Sequence, residues 1–414
     1  MKAVQFDLNI PKYAISKAMG KVNPSLYVNS PLSCLQLRDV EPPPLPNEHW
    51  VEVKVKYGGI CGSDLNLISL KDSPATSPFI SFPFTMGHEI VGTISKTGKL
   101  VKGHHVGERV VIDPLLACSV RGIDPLCPEC KKGNYHLCHH MNDGTISPGL
   151  LTGTCKDTGG GWGNYIVAHE SQVIKLPDNV SNTNGVLVEP FSCALHTVMQ
   201  NPPKQSDIVL VIGAGVIGIC LIAALRALNY SCNIVVLVKY PFQGELASQF
   251  GADEVIYISR GKDYLSNAAQ SMNAHVLHPI FGEPIVHGGA DIVYECVGNK
   301  KSLHDAIRFT RKGGKLVLLG LASFIENLDM TMIWLNELEI KGSFTYSTEM
   351  YHGQQKRTLQ IAVDLMKEGK VDLSPLVTHC FSLENYREAI AAATNKKKEN
   401  TMKVIFEPKS NHSQ

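Results

Sequence analysis

The chain has 414 residues, enough for two or three cores, and its 44% hydrophobic and 19% charged residues give the balance of a globular protein. Lys plus Arg number 39 and Asp plus Glu 38, so there is no electrostatic case for nucleic acid or an acidic lipid surface as partner. No apolar run reaches the roughly 18 residues that a membrane span needs, and the N-terminus lacks the apolar core of a secretory signal, so a cytoplasmic protein is expected.

In chain order, residues 1–6 read as a first strand. Residues 51–57, V-E-V-K-V-K-Y, alternate as a half-buried strand does. Strand-like pieces recur at 89–94, 109–112, 163–167 and 172–176, broken by Gly and Pro, and predict an irregular, mostly antiparallel β domain. Between them lie four cysteines at 118–138, three of them spaced Cys127-x2-Cys130-x7-Cys138. In a long chain without a secretion signal, clustered cysteines point to metal before disulfides.

The character changes near Phe191. Residues 207–212 are almost continuously apolar, as a strand buried on both faces requires. They lead into Gly213-Ala214-Gly215-Val216-Ile217-Gly218 and then a helical stretch at 219–228. Strand patterns follow at 233–238, 254–258, 291–296, 315–319 and 338–343, mostly separated by helical ones, which predicts a doubly wound parallel sheet. Residues 263–287 are long for a sheet connection and carry His275, His278 and His287. A surface insertion is the simpler reading and a second metal site the alternative. Helices at 356–367 and 383–394 and a strand at 402–406 close the chain and are expected to fold back on the N-terminal part. The run Lys396-Lys397-Lys398 reads as a solvated helix end.

The glycine loop has the context of a dinucleotide fingerprint. Gly213 permits the tight turn, Gly215 lets the backbone approach a pyrophosphate, and Gly218 lets the helix pack on the sheet. Ala214, Val216 and Ile217 complete the loop, at the positive end of the helix dipole. The next strand ends Val238-Lys239-Tyr240 with no Asp or Glu from residue 234 to 244. NADP is therefore favoured over NAD, with Lys239 meeting a 2′-phosphate; the alternative is a solvated lysine and either cofactor. Val297, after the strand end at Cys296, and Gly320 are further cofactor contacts. Cys193 and Cys296 are expected to pack near the site without covalent roles.

Three further segments offer metal ligands: Gly59-Ile60-Cys61-Gly62-Ser63-Asp64, Gly87-His88-Glu89 and Val188-Glu189-Pro190. Cys, His and Glu all ligate zinc, and a reactive zinc leaves one position for water or substrate. In their order and spacing, G-G-I-C-G-S-D, G-H-E, the cysteine lobe, V-E-P and V-I-G-A-G-V-I-G resemble the zinc-containing medium-chain dehydrogenase/reductase family across nearly the whole chain. The Glu189-Pro190 form resembles its polyol and threonine dehydrogenase branch.

The resemblance implies an α/β protein. Its GroES-like catalytic domain would cover residues 1–196 and 347–414, split around a Rossmann domain at 197–346, and the protein would form a homo-oligomer. It implies hydride transfer between a small alcohol or polyol and NAD(P). Cys61 and His88 would ligate the catalytic zinc. Glu89 would be a ligand or an exchangeable one, and Glu189 would bind directly or through water. Ser63 would take the substrate proton, and Asp64 would orient His88. Asn66 stands where many relatives have the histidine of a proton relay. In the structural zinc lobe, Cys127, Cys130 and Cys138 match three ligands. The expected fourth position holds Asp124, and Cys118 is proposed to complete the site in its place. The competing readings are a zinc-free enone or quinone reductase and a non-catalytic nucleotide-binding protein on the same fold.

Overall fold

A computed structural model describes residues 1–258 and 263–409. The chain divides into two compact units, Met1–Glu189 with Ser347–Gln414, and Pro190–Tyr346. Together they combine a GroES-like β domain with a Rossmann-type sheet in a mixed α/β protein.

The first unit is organised by the strand Trp50–Gly59. It pairs antiparallel with Ile90–Thr97, with Tyr165–His169 and, at its end, with the C-terminal strand Lys403–Phe406. The alternation seen in the sequence sends Val51, Val53 and Val55 into a core with Ile90, Ile94, Val110, Ile112 and Ile166. The C-terminal strand arrives in a defined register: Ile405 opposes Gly59 and Phe406 opposes Gly58. A Cβ on Gly58 would lie 2.0 Å from the Gly161 carbonyl oxygen, so this approach needs glycine.

Two elements depart from expectation. The helix Ile10–Val22 lies in the connection between the first two strands, Lys2–Phe6 and Leu35–Asp39, which pair directly, where only irregular β structure was expected. Pro11 is tolerated because it sits in the first turn. The helix expected from residue 356 begins instead at Thr358; Gln354–Arg357 is the second strand of a hairpin with Thr348–Tyr351. Gln, Lys and Arg are good helix formers, but here tertiary partners decide. Arg357 pairs with the buried carboxylate of Asp113 and donates to the Ser171 carbonyl.

The second unit is a six-stranded parallel sheet. Its order is Glu254–Tyr257, Asn233–Val238, Ile208–Ile212, Ala290–Glu295, Thr310–Leu318 and Glu339–Gly342. The order reverses beside Ile208–Ile212, the position where such sheets bind nucleotides. The long connection holds the helix Tyr264–Ser271 and a two-stranded hairpin, in which His275 faces His287. Among the described residues, these histidines join no group of three or more metal ligands. Also among the described residues, no helix is long and apolar enough to cross a membrane.

The glycines of the fingerprint loop bear distinct loads. Gly213 has φ +94° and packs against Val297. A Cβ on Gly218 would lie 1.9 Å from the Gly213 carbonyl oxygen, so the helix Val216–Ala227 could not enter as it does. Gly218→Val is therefore expected to abolish tight nucleotide binding and to lower the melting temperature. Titration of nucleotide fluorescence and a thermal scan read the two effects separately.

Candidate active site and cysteine lobe

The strand Trp50–Gly59 ends at the bend that carries Cys61, and the helix Gly62–Ile68 follows at once. Asp64 fixes this corner, since its Oδ2 accepts from the Cys61 amide at 2.8 Å. Its other oxygen lies 3.6 Å from Nδ1 of His88, an electrostatic contact rather than a hydrogen bond. Ser63 and Asn66, three residues apart, share one face of the helix and are partly exposed.

The ligand atoms of Cys61, His88 and Glu89 all lie within 4.8 Å of one another, with His88 and Glu89 buried. Burial alone would lower the His88 imidazole; Asp64, Cys61 and Glu189 outweigh it and hold the group well above its ordinary value. A field that favours a proton on His88 also favours a metal cation, so the donor set and its charge fit zinc. Glu189 lies within electrostatic reach of His88 but outside the three-residue cluster.

Two cations near this site were not identified from the sequence. Lys403 is almost fully buried in the C-terminal strand. It forms an ion pair with Oε2 of Glu89 and donates to the Ile60 carbonyl at 3.1 Å. Burial works against its charge, but Glu89 and Cys61 keep it above the ordinary lysine value. Lys396 departs from the expectation of a solvated helix end. It is half-buried, and burial, then the charge of Lys403, lowers it; Lys397 and Lys398 are exposed.

The cysteine lobe is a closed set. Sγ atoms of Cys118, Cys127, Cys130 and Cys138 lie within 4.8 Å of one another, all four buried, and those of Cys118 and Cys138 are 3.5 Å apart. A tetrahedron with metal–sulfur bonds of about 2.3 Å has edges of about 3.8 Å, so the cluster fits zinc. Backbone amides of Cys130 and His140 donate to the sulfurs of Cys127 and Cys138, as thiolates require. Without a metal the four thiols share charge unequally. Hydrogen bonding from Cys130 holds Cys138 down at about 5, while burial pushes Cys118 up to about 11. Asp124 lies outside this cluster and precedes the cis proline Pro125.

Arg121 supports the lobe from beneath. It is fully buried and donates to the carbonyls of Leu116, Asp143, Ile146, Ser147 and Gly149. The segment between Cys118 and Cys127 thus supplies one guanidinium, around which the carbonyls of residue 116 and residues 143–149 gather, and its rigid fork suits several acceptors at once.

In the second unit, Gly215 begins the helix Val216–Ala227 with no side-chain cap, and a Cβ there would meet nothing within 4 Å. That open cradle at a helix N-terminus fits a pyrophosphate. Buried Glu295 accepts from the amides of Val297 and Gly298 and sits against Gly320, shaping the loop beside the cradle. Lys239 is exposed, with its ammonium 5.3 Å from the centre of the Tyr240 ring.

A buried thiolate tetrad and a separate Cys–His–Glu cluster, on a chain that also carries a nucleotide-binding sheet, define a zinc-dependent NAD(P)-linked dehydrogenase. Residues 47–178 match the alcohol dehydrogenase GroES-like domain, and residues 216–367 match the zinc-binding dehydrogenase domain. The sorbitol dehydrogenase of Bacillus subtilis (strain 168) is 30% identical over 89% of this chain and 94% of its own length. The L-idonate 5-dehydrogenase of Vitis vinifera is 29% identical over 86% of this chain and 87% of its own. A zinc-binding dehydrogenase of Sinorhizobium meliloti 1021, solved bound to NADP, is 25% identical with a TM-score of 0.69, covering 90% of this chain and 96% of its own. The chain belongs to the zinc-binding medium-chain dehydrogenases, on the polyol dehydrogenase-like branch.

Two measurements follow from this geometry. Cys118→Ser is expected to reduce bound zinc from about two per chain to about one, whereas Asp124→Ala leaves it unchanged; elemental analysis decides between the two ligands. The second concerns Asp72, which faces a cavity of about 370 Å³ lined by Leu8, Tyr13, Leu67, Leu70, Ile80 and Phe82. Burial, then the charge of Asp64, pushes Asp72 up to about 6. The folded state therefore holds this proton more tightly than the unfolded chain, and stability falls as pH rises from about 4 through about 6. Asp72→Asn is expected to raise the melting temperature at pH 7.5 and to leave it unchanged near pH 4.

Proposed function

We propose that this chain oxidises a secondary hydroxyl of a small polyol, or reduces the matching ketone, with NADP as the preferred nucleotide. The observation that carries this reading is the buried Cys61–His88–Glu89 cluster, with Ser63 on the adjoining helix. The metal, when bound, supplies positive charge beside the substrate oxygen. Cys61 and His88 are its fixed ligands, and Asp64 orients His88. Glu89 would be an exchangeable ligand, and Glu189 would reach the metal directly or through water. Ser63 accepts the hydroxyl proton and passes it outward; with Asn66 unable to titrate, the exit runs through water or a nucleotide ribose. The four cysteines hold a structural zinc that contributes folding energy.

The polyol preference is supported by relatives named for sorbitol and L-idonate. Preference for NADP is supported by exposed Lys239 and by the lack of an acidic residue after the second nucleotide strand. A homo-oligomer is supported by the strand Glu339–Gly342, which among the described residues pairs on one side only, and by exposed Trp334, Leu335 and Phe344 in the segments flanking it in sequence. The protein acts in the cytoplasm, consistent with twelve free cysteines.

A polyol and alcohol panel run in parallel with NAD and NADP is the direct test. Turnover is expected with vicinal diols, and stronger with NADP. Turnover that survives complete removal of metal would overturn the zinc reading. Ser63→Ala is expected to lower kcat by about 100-fold at neutral pH, in the range for loss of a positioned proton acceptor; a wild-type kcat would remove Ser63 from the mechanism.

A further inference from the structure

We propose that Lys403 is a positioning residue that competes with the catalytic metal for Glu89, keeping that carboxylate exchangeable rather than permanently ligated. The proposal rests on the reading that Cys61, His88 and Glu89 hold zinc.

The geometry brackets Glu89 between two cationic positions. On one side, a carboxylate oxygen lies within 4.8 Å of the ligand atoms of Cys61 and His88. On the other, Lys403 contacts Oε2, and both side chains are almost completely withdrawn from solvent, 2% and 1% exposed. The niche that receives Oε2 is built for it, because a Cβ on Gly59 would lie 1.8 Å from that oxygen. Lys403 also holds the Ile60 carbonyl, one residue before Cys61. Its own backbone is placed by the strand register, in which the Ile60 amide donates to the Val404 carbonyl at 3.0 Å. Oε2 is thus engaged by Lys403, and a metal held by Cys61 and His88 would draw on a carboxylate whose charge is already partly balanced.

Charge gives this contest a purpose. Cys61, Glu89, Asp64 and Glu189 offer up to four negative charges around one dication. That surplus would blunt the metal's pull on a substrate oxygen. A fixed ammonium inside the same low-dielectric region offsets part of it and weakens Glu89 as a ligand. An apolar lysine isostere would leave Glu89 with the metal as its only strong partner.

The test uses the full-length enzyme with cobalt at the Cys61 site and zinc in the lobe. In Lys403→Met, the visible cobalt spectrum is expected to shift toward a higher coordination number. Metal release to a chelator is expected to slow by about 10-fold and kcat to fall by about 10-fold, with the KM for nucleotide changed less than about 2-fold. Adding Glu89→Gln should return metal release to the rate of Glu89→Gln alone, and Lys403→Arg should keep the wild-type spectrum. An unchanged spectrum and release rate in Lys403→Met, or faster release, would overturn the proposal. If Lys403→Met does not fold, Lys403→Gln, which can still donate to Ile60, is read in the same way; if neither folds, the lysine is structural and the proposal fails. Wild-type protein that takes up no metal beyond the cysteine lobe would instead overturn the reading on which the proposal rests.

Discussion

The pairing of the C-terminal strand with the last residues of Trp50–Gly59 is the contact on which the reactive site depends. It joins segments separated by most of the chain and does three things at once. It caps the edge of the central strand, so that Gly59 and Ile60 are held on the way to Cys61. It inserts a buried lysine beside the carboxylate of Glu89, in a region that also holds Cys61 and His88. It also closes the sheet against a core that includes Trp162 and Phe406, whose rings meet edge to face. Burying an ammonium costs several kcal/mol unless it is paired and hydrogen-bonded. Lys403 meets both conditions, through Glu89 and the Ile60 carbonyl.

The two zinc sites use the same elements to opposite ends. In the lobe, four thiolates enclose the ion, amides stabilise the sulfurs, and Arg121 fixes the surrounding carbonyls. Nothing there is left to exchange. At the reactive site the ligand types are mixed, Cys61 is partly open, and Glu89 has an alternative partner. A closed sulfur shell gives rigidity, whereas a mixed shell with an opposing cation gives a place for substrate oxygen.

Much of this was legible because it is local. The turn glycines, the G-H-E segment and the Cys127–Cys130–Cys138 spacing each occupy a few consecutive residues, and the strands that flank them alternate or run apolar as their burial requires. Cys118 was proposed over Asp124 as the fourth member of the lobe, and the structure gathers it with the other three. Lys403 was not, because a lysine in a short apolar strand reads as an edge or solvent residue until its partner is known, 343 residues from the carbonyl it holds. Arg121 was passed over for a similar reason, since its five acceptors are carbonyls, which no side-chain pattern announces. Lys356 and Arg357 read as the start of a helix because they favour one, but they end a hairpin strand, where Arg357 pairs with Asp113. Gly59 carried no role of its own in the sequence, whereas its missing Cβ is the space occupied by a carboxylate oxygen.

The separation of Lys403 from the ligands it governs also sets an order of assembly. The cysteine lobe closes over residues 118 to 138, a short loop with a small closure entropy, and all its ligands are present once that stretch has been made. The reactive site also needs Lys403, 343 residues after Ile60, so its charge balance is reached only after that strand has been made. A growing chain would thus be able to capture its structural ion early, while the reactive ion would meet its full charge balance only after the strand carrying Lys403 has docked. Chain synthesis itself would then separate the two loading events, with no difference in intrinsic affinity required.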